Sequence, residues 1–164
     1  MSIFDDLNER YARFEAAQTL QHNLLTKAVG SLPGGFGKYI GLTEPFFYDD
    51  DGKNGKRYIR LGVGAPESFE EKAWLSLGSR AGVVSFSLAV TVDSRLPLQS
   101  RMTYVFEGTV RFCPGGYDFA FKGLPSPIIV SPEKVIAGEL DAVYAALVES
   151  LFKSFDPSLI EIRN

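Results

Sequence analysis

The segment VVSFSLAVTV, residues Val83–Val92, alternates between apolar and small side chains. Because successive side chains of a strand point to opposite faces of a sheet, this alternation predicts a strand with one buried face. Met102–Cys113 and Tyr117–Lys122 alternate in the same way and flank a Pro-Gly-Gly turn, which predicts a hairpin. The links between these strands are too short for helical crossovers, so the sequence predicts an antiparallel meander.

Long helices are predicted at both ends of the chain. Residues 3–29 contain no proline or glycine, and Ser2 is suited to cap the first turn. The helix is expected to stop at GSLPGGFG. Within and just after it, GGFGK (Gly34–Lys38) is interpreted as a flexible connector. A second helix is predicted to begin at Ser131-Pro132 and to run to about Phe155. The apolar residues of the first helix recur every three or four positions, as Ile3, Leu7, Phe14, Ala17, Leu24 and Ala28, with Phe4, Tyr11, Leu20 and Leu25 beside them.

These patterns predict an α+β fold, with an antiparallel sheet of about six strands flanked by the two long helices. Further strands are predicted at 39–48 and 56–63, with a shorter one at 73–77. The chain has 164 residues, of which 45% are hydrophobic, so residues 1–164 are expected to form a single domain.

Composition narrows the classes of function. The net charge of −3 disfavours a nucleic-acid partner, which calls for a basic surface. No apolar run reaches 18 residues, so no membrane span is expected. Cys113 is the only cysteine, which excludes an intramolecular disulfide and a cysteine-based zinc site. These observations favour a cytoplasmic protein.

The segment FFYDDDGKNGKRYIRL, residues 46–61, invites comparison with a calcium loop. Aligned on Gly52, an EF-hand loop would have Phe47 first and Tyr58 last, where the ion requires carboxylates, so we predict a hairpin and no metal. Two registers are open. The favoured one centres on Asn54-Gly55 and pairs Asp49 with Arg60, Asp51 with Tyr58 and Tyr48 with Leu61. The alternative centres on Asp51-Gly52 and sets Phe47 opposite Lys56 and Phe46 opposite Arg57.

Catalytic and cofactor motifs are missing from the sequence. GGFGK lacks the first glycine and the final Ser or Thr of a phosphate-binding loop. The only histidine, His22, lies among polar residues of the first helix and is expected to be solvated, and Cys113 is expected to be a structural thiol. A pair of carboxylates stays open as an active site, drawn from Glu67, Glu70, Glu71 and Glu107. No cofactor is expected.

The leading hypothesis is therefore a non-catalytic protein-interaction module: an adaptor, a secretion-chaperone-like protein or an inhibitor of another protein. Its predicted binding surface is the first helix around Leu7, Tyr11 and Phe14, and its partner is another protein or a second copy of the chain. The alternative hypothesis is a binder of a small apolar ligand, or an enzyme using carboxylates. Its site would be an aromatic-lined cavity between the sheet and the C-terminal helix.

Overall fold

The structure, a computed structural model, describes residues 2–48, 52, 55–94 and 100–160. Within them the chain is an antiparallel sheet with helices before and after it, which confirms the α+β prediction. The helices are α1 (Ile3–Gly30), α2 (Leu32–Tyr39), α3 (Pro132–Ile136) and α4 (Asp141–Ser154). The strands are β1 (Phe46–Tyr48), β2 (Gly55–Arg57), β3 (Ile59–Val63), β4 (Glu70–Glu71), β5 (Ser79–Arg80), β6 (Val83–Asp93), β7 (Arg101–Cys113), β8 (Gly116–Phe121) and β9 (Ile128–Val130).

Seven of the described strands form the main sheet, in the order β4-β3-β6-β7-β8-β9, with β5 paired to one end of β6. The long strands β6 and β7 pair from Val84↔Val110 to Asp93↔Arg101. The β7–β8 hairpin turns between Cys113 and Gly116, as the sequence predicts. Strands β1 and β2 form a separate two-stranded ribbon.

The core lies on one face of the main sheet, beneath the helices. Phe86 and Leu88 of β6 are buried there with Phe106 of β7 and Phe119 of β8. The other face of β6 is also covered between residues 87 and 91, so the prediction of a single buried face is wrong for the centre of this strand. The same face receives the C-terminal end of α1 through Leu25 and Val29, together with Phe36 of α2 and Leu147 of α4. The strand aromatics that the alternative hypothesis assigned to a cavity are thus largely core residues.

The segment predicted as a flexible connector is helix α2, so that prediction is wrong. Gly35 lies where a side chain would collide with the phenol of Tyr144, and Phe36 beside it is fully buried. Helix α2 packs closely against α4 because Gly35 has no side chain. Packing therefore outweighs the weak helix propensity of glycine.

The favoured hairpin register is also wrong, and the alternative holds. Phe46 pairs with Arg57, Phe47 with Lys56 and Tyr48 with Gly55. The predicted strand 56–63 is divided at Tyr58, because Ile59–Val63 pairs with β6 in the main sheet and is not available to β1. The Asn54 turn position and the partners Asp49 and Asp51 lie outside the described residues.

Three other boundaries differ from the prediction. Residues 39–48 contribute only the short strand β1, because α2 extends to Tyr39. The candidate strand 73–77 is a 3₁₀ turn at Trp74–Ser76. The C-terminal helix begins at Ser131-Pro132 as predicted but is interrupted at Gly138, whose φ of +74° suits a residue without a side chain. This break turns the chain so that Leu140 is fully buried before α4 begins.

Candidate functional site

The N-terminal arm, which we define as Ile3–Leu20 of α1, is exposed at every residue. At a rise of about 1.5 Å per residue, the arm is about 27 Å long and projects by that length beyond the body of the protein. The predicted binding residues all lie on this arm, and their exposed fractions are 59% for Leu7, 64% for Tyr11 and 59% for Phe14. We call these three residues, with Ile3 and Phe4, the apolar stripe.

The apolar stripe continues the face by which α1 is anchored in the core. Leu7 and Leu25 are 18 residues apart, as are Tyr11 and Val29, and 18 residues are about five complete helical turns. Each pair therefore points in one direction from the helix axis. Leu25 and Val29 are fully buried, whereas their counterparts five turns earlier are uncovered. One helix face thus serves as core at one end and as free apolar surface at the other.

Polar residues separate the two parts of this face. Gln18 is exposed, and Gln21 and His22 are half-buried where the arm meets the body. His22 Nδ1 lies 2.9 Å from the hydroxyl of Ser79 in β5, so the imidazole joins α1 to the sheet. His22 is thus partly solvated, as predicted, and is also bonded to the sheet. This contact marks the point at which the body begins to cover the helix.

The arm holds its helical form through local interactions. The Ser2 hydroxyl oxygen accepts a hydrogen bond from the Asp5 amide at 3.2 Å, and the Asp5 carboxylate accepts one from the Ser2 backbone amide at 3.2 Å, which completes a capping box. The hydrogen bonds from Ser2 lower the pKa of Asp5. Arg13 and Glu9 form an i,i+4 ion pair at 2.6 Å on the outer face. Because the body fixes the last turns of α1, the helix in the arm only has to extend from turns that are already formed. The arm therefore avoids the unfavourable free energy of forming a first helical turn.

A second candidate site is a groove of about 530 Å³ beside α4. Its walls are Tyr104, the proline-rich segment 124–128, and the outer side of α4 around Ser150. One rim carries Glu149 and Lys153, which form an ion pair at 3.1 Å. The groove matches the location of the predicted cavity, between sheet and C-terminal helix, but most of the strand aromatics face the core instead.

None of the four candidate carboxylates is buried. Glu67, Glu70 and Glu71 are exposed, and Glu107 pairs with Lys122 at 3.6 Å on the opposite face of the sheet from the helices. Among residues 2–48, 52, 55–94 and 100–160, no group of three or more His, Cys, Asp or Glu side chains is placed to hold a metal ion. Cys113 is a free, half-buried thiol at the end of β7, as expected of a structural residue.

One polar cluster escaped sequence analysis. The Tyr58 hydroxyl donates a hydrogen bond to Asp93, and Arg101 Nε lies 3.0 Å from the same carboxylate. The Arg101 guanidinium also lies over the ring of Phe47, 4.8 Å from its centroid, which links the β1–β2 ribbon to the main sheet. Asp93 and Arg101 each lie one residue outside the predicted strands Val83–Val92 and Met102–Cys113, and the structure extends both strands and pairs the two residues directly. We interpret this cluster as structural.

Within the described residues, no helix has both the length and the apolar character needed to cross a bilayer. Comparison with family models, curated proteins and solved structures found no match to this chain. Among the described surfaces of the chain, the apolar stripe brings five exposed large apolar side chains together on one helix.

Proposed function

We propose that this chain is a non-catalytic, cytoplasmic protein-interaction module whose binding surface is the apolar stripe of the N-terminal arm. One observation carries the proposal: five large apolar side chains share one face of a projecting helix and none of them is covered. Exposed apolar residues scattered singly are ordinary, but a contiguous stripe of them is typical of a docking site.

The shape of the stripe supports helix-mediated recognition. Phe4, Leu7, Tyr11 and Phe14 are spaced alternately by three and four residues, which is the pattern of a helix that lays one face into a groove or against another helix. The opposite face carries Asp5, Glu9 and Arg13, which keep the arm hydrated on its outer side. An adaptor, a secretion chaperone or an inhibitor of another protein would each use such a surface.

The test compares two double variants that add the same charge to opposite faces of the arm. Tyr11→Glu with Phe14→Glu places carboxylates in the stripe, and Ala12→Glu with Ala16→Glu places them on the far side. Both variants should keep the wild-type circular dichroism and melting temperature, because both sites are exposed. In pull-downs from the native host analysed by mass spectrometry, the first variant should lose the partners that the wild type and the control retain.

Two results would count against this proposal. If the Tyr11→Glu, Phe14→Glu variant unfolds while the control does not, the stripe packs against its own body. If the variant folds and captures the same partners as the wild type, the arm is not the binding surface.

The groove beside α4 favours a second candidate function, binding of a small apolar ligand. Leu124, Pro125 and Ile128 give it an apolar wall, and its volume suits a small molecule. A thermal-shift screen against apolar and acyl compounds should then raise the melting temperature of the wild type but not of Ala146→Trp, which fills the groove. A screen without stabilising compounds would reject this candidate.

A further inference from the structure

We infer that the apolar stripe pairs with the stripe of a second copy of this chain, with the two arms antiparallel. This inference rests on the proposed function and names the partner. In the pairing, Phe4 faces Phe14 of the second copy and Leu7 faces its Tyr11. The two-fold axis then crosses the interface at the level of residue 9, so each contact occurs twice.

The first argument for this occupant is the self-complementarity of the stripe. When Phe4 faces Phe14 of the second copy, Leu7 faces Tyr11 of that copy in the two inner layers. All four layers of the interface are then aromatic or aliphatic. Shifting the pairing by one heptad would set Phe4 opposite Gln21 and Leu7 opposite Gln18. Those layers would bury amides without partners, so the apolar register is strongly preferred.

The second argument is the position of the body, which decides between parallel and antiparallel arms. Leu25 and Val29 occupy the same helix face as the stripe and are covered by the core. A parallel second helix following this face would enter the space that the body already fills. An antiparallel helix avoids it: its Ser2 would lie opposite Ala16, five residues before Gln21, where burial begins.

The third argument is the area available. Phe4, Tyr11 and Phe14 are each 59% exposed or more, and an aromatic side chain offers about 150–250 Å². With Ile3 and Leu7 included, the two stripes would bury roughly 1,200 Å² together, which is the lower end of the range for specific interfaces. The structure therefore points to a reversible dimer that forms with rising concentration rather than to an obligate one.

Disulfide trapping tests both the partner and the orientation. In a Cys113→Ser background, Leu7→Cys and Tyr11→Cys are prepared as separate proteins and oxidised alone and as an equimolar mixture. The antiparallel pairing sets position 7 opposite position 11, so the mixture should give a mixed disulfide dimer and each protein alone should give far less. A dimer from either protein alone in preference to the mixture would overturn the orientation. No dimer under any condition would overturn the inference.

Sedimentation equilibrium gives an independent measure. Wild-type protein should shift from monomer to dimer between low-micromolar and near-millimolar concentration, and Tyr11→Glu with Phe14→Glu should stay monomeric throughout. Arg10 lies beside the stripe near the proposed axis, close to Arg10 of the second copy, so Arg10→Gln should strengthen association by roughly twofold. In a parallel pairing Arg10 would instead approach Glu15 of the second copy, and Arg10→Gln would weaken association. A wild type that remains monomeric at every concentration refutes the inference.

The failures of the two proposals are distinguishable. A monomeric wild type that still loses captured partners on Tyr11→Glu, Phe14→Glu substitution would refute self-pairing and support the arm as a site for a different protein. A monomeric wild type whose captured partners do not depend on the stripe would refute both.

Discussion

The same Leu→Ala substitution can be compared at an exposed and at a buried position of one helix face, Leu7 and Leu25. The two leucines are five turns apart on α1, and their exposed fractions are 59% and 0%. We expect Leu25→Ala to lower the free energy of unfolding by about 3–5 kcal/mol, the usual result of emptying a packed leucine site. Leu7→Ala should change it by less than about 0.5 kcal/mol in the monomer, since exposed substitutions have small effects and alanine favours helix.

The difference between the two variants follows from what each side chain has already buried. Complete burial of a leucine side chain is worth about 1.5–3 kcal/mol, before any cavity cost. Leu25 has realised all of this stabilisation in the monomer. Leu7 would realise its remaining share, about 1–2 kcal/mol, only when the arm docks. Leu7→Ala should therefore weaken docking and leave folding unchanged.

The measurement is urea unfolding followed by the fluorescence of Trp74, the only tryptophan in the chain. Trp74 packs against the end of α1 at Gly30, so its emission reports the anchored part of this helix. Titrations at low protein concentration isolate the monomer, and repeating them at high concentration adds any contribution from dimerisation. A loss of more than about 2 kcal/mol for Leu7→Ala, independent of concentration, would mean that the arm is packed against its own body.

Three further predictions concern the body. Gly35→Ala should destabilise the protein by about 1–3 kcal/mol, because the added methyl group meets the Tyr144 phenol. Gly34→Ala faces open space in the same helix and should be neutral or stabilising by up to about 1 kcal/mol. Equal effects of the two substitutions in urea unfolding would contradict the close approach of α2 and α4. Burial raises the pKa of Tyr144 to about 12, so the unfolded chain, whose tyrosines ionise near pH 10, loses this proton first. The contribution of Tyr144 to stability should then be constant well below pH 10 and fall between pH 10 and 12 by at most about 1.4 kcal/mol per pH unit. Tyr144→Phe should reduce this slope, and an unchanged slope would refute the assignment. Tyr58→Phe removes a hydrogen bond to the Asp93 carboxylate and should cost about 1–3 kcal/mol in thermal or urea unfolding; no change would show that the bond is made equally well to water.

The parts of the fold that the sequence predicted are those governed by local pattern. The alternation in Val83–Val92 and Met102–Cys113 identified β6 and β7, and the composition of residues 3–29 identified α1, because side-chain period follows directly from local backbone geometry. Helix α2 was missed because two consecutive glycines oppose helix formation locally, while the contact between Gly35 and Tyr144 that favours it joins residues far apart in the sequence.

The hairpin register was decided by competition between two possible partners for one segment. Turn propensity favoured Asn54-Gly55, but Ile59 and Leu61 pair with Val90 and Leu88 and fill the core face of the main sheet. That pairing leaves only Gly55–Arg57 for β1. Burial of two large apolar side chains outweighs the preference of a single turn, and no local property of residues 46–61 carries this information.

The sequence predicts which residues of α1 share the apolar stripe, but it does not predict that the stripe is exposed. The three-four spacing of Leu7, Tyr11 and Phe14 is the same whether such a face packs on its own sheet or projects away from it. The nearest sequence signal is the group of polar residues Gln18, Gln21 and His22, which interrupts the stripe where the body begins. This interruption coincides with the boundary between the exposed and the buried part of one helix face.

Helix α1 also acts as a lever. Its 28 residues contain no internal proline or glycine, so the arm and the buried end at Leu25 and Val29 move as one rod. A tilt of about 5° at the buried end would displace Ile3 by roughly 3 Å, given about 33 Å of helix between them. Conversely, a partner that pulls the arm aside applies torque to the packing around Trp74. If a partner docks at the tip as proposed, we expect the emission of Trp74 to change on binding about 40 Å away along the helix.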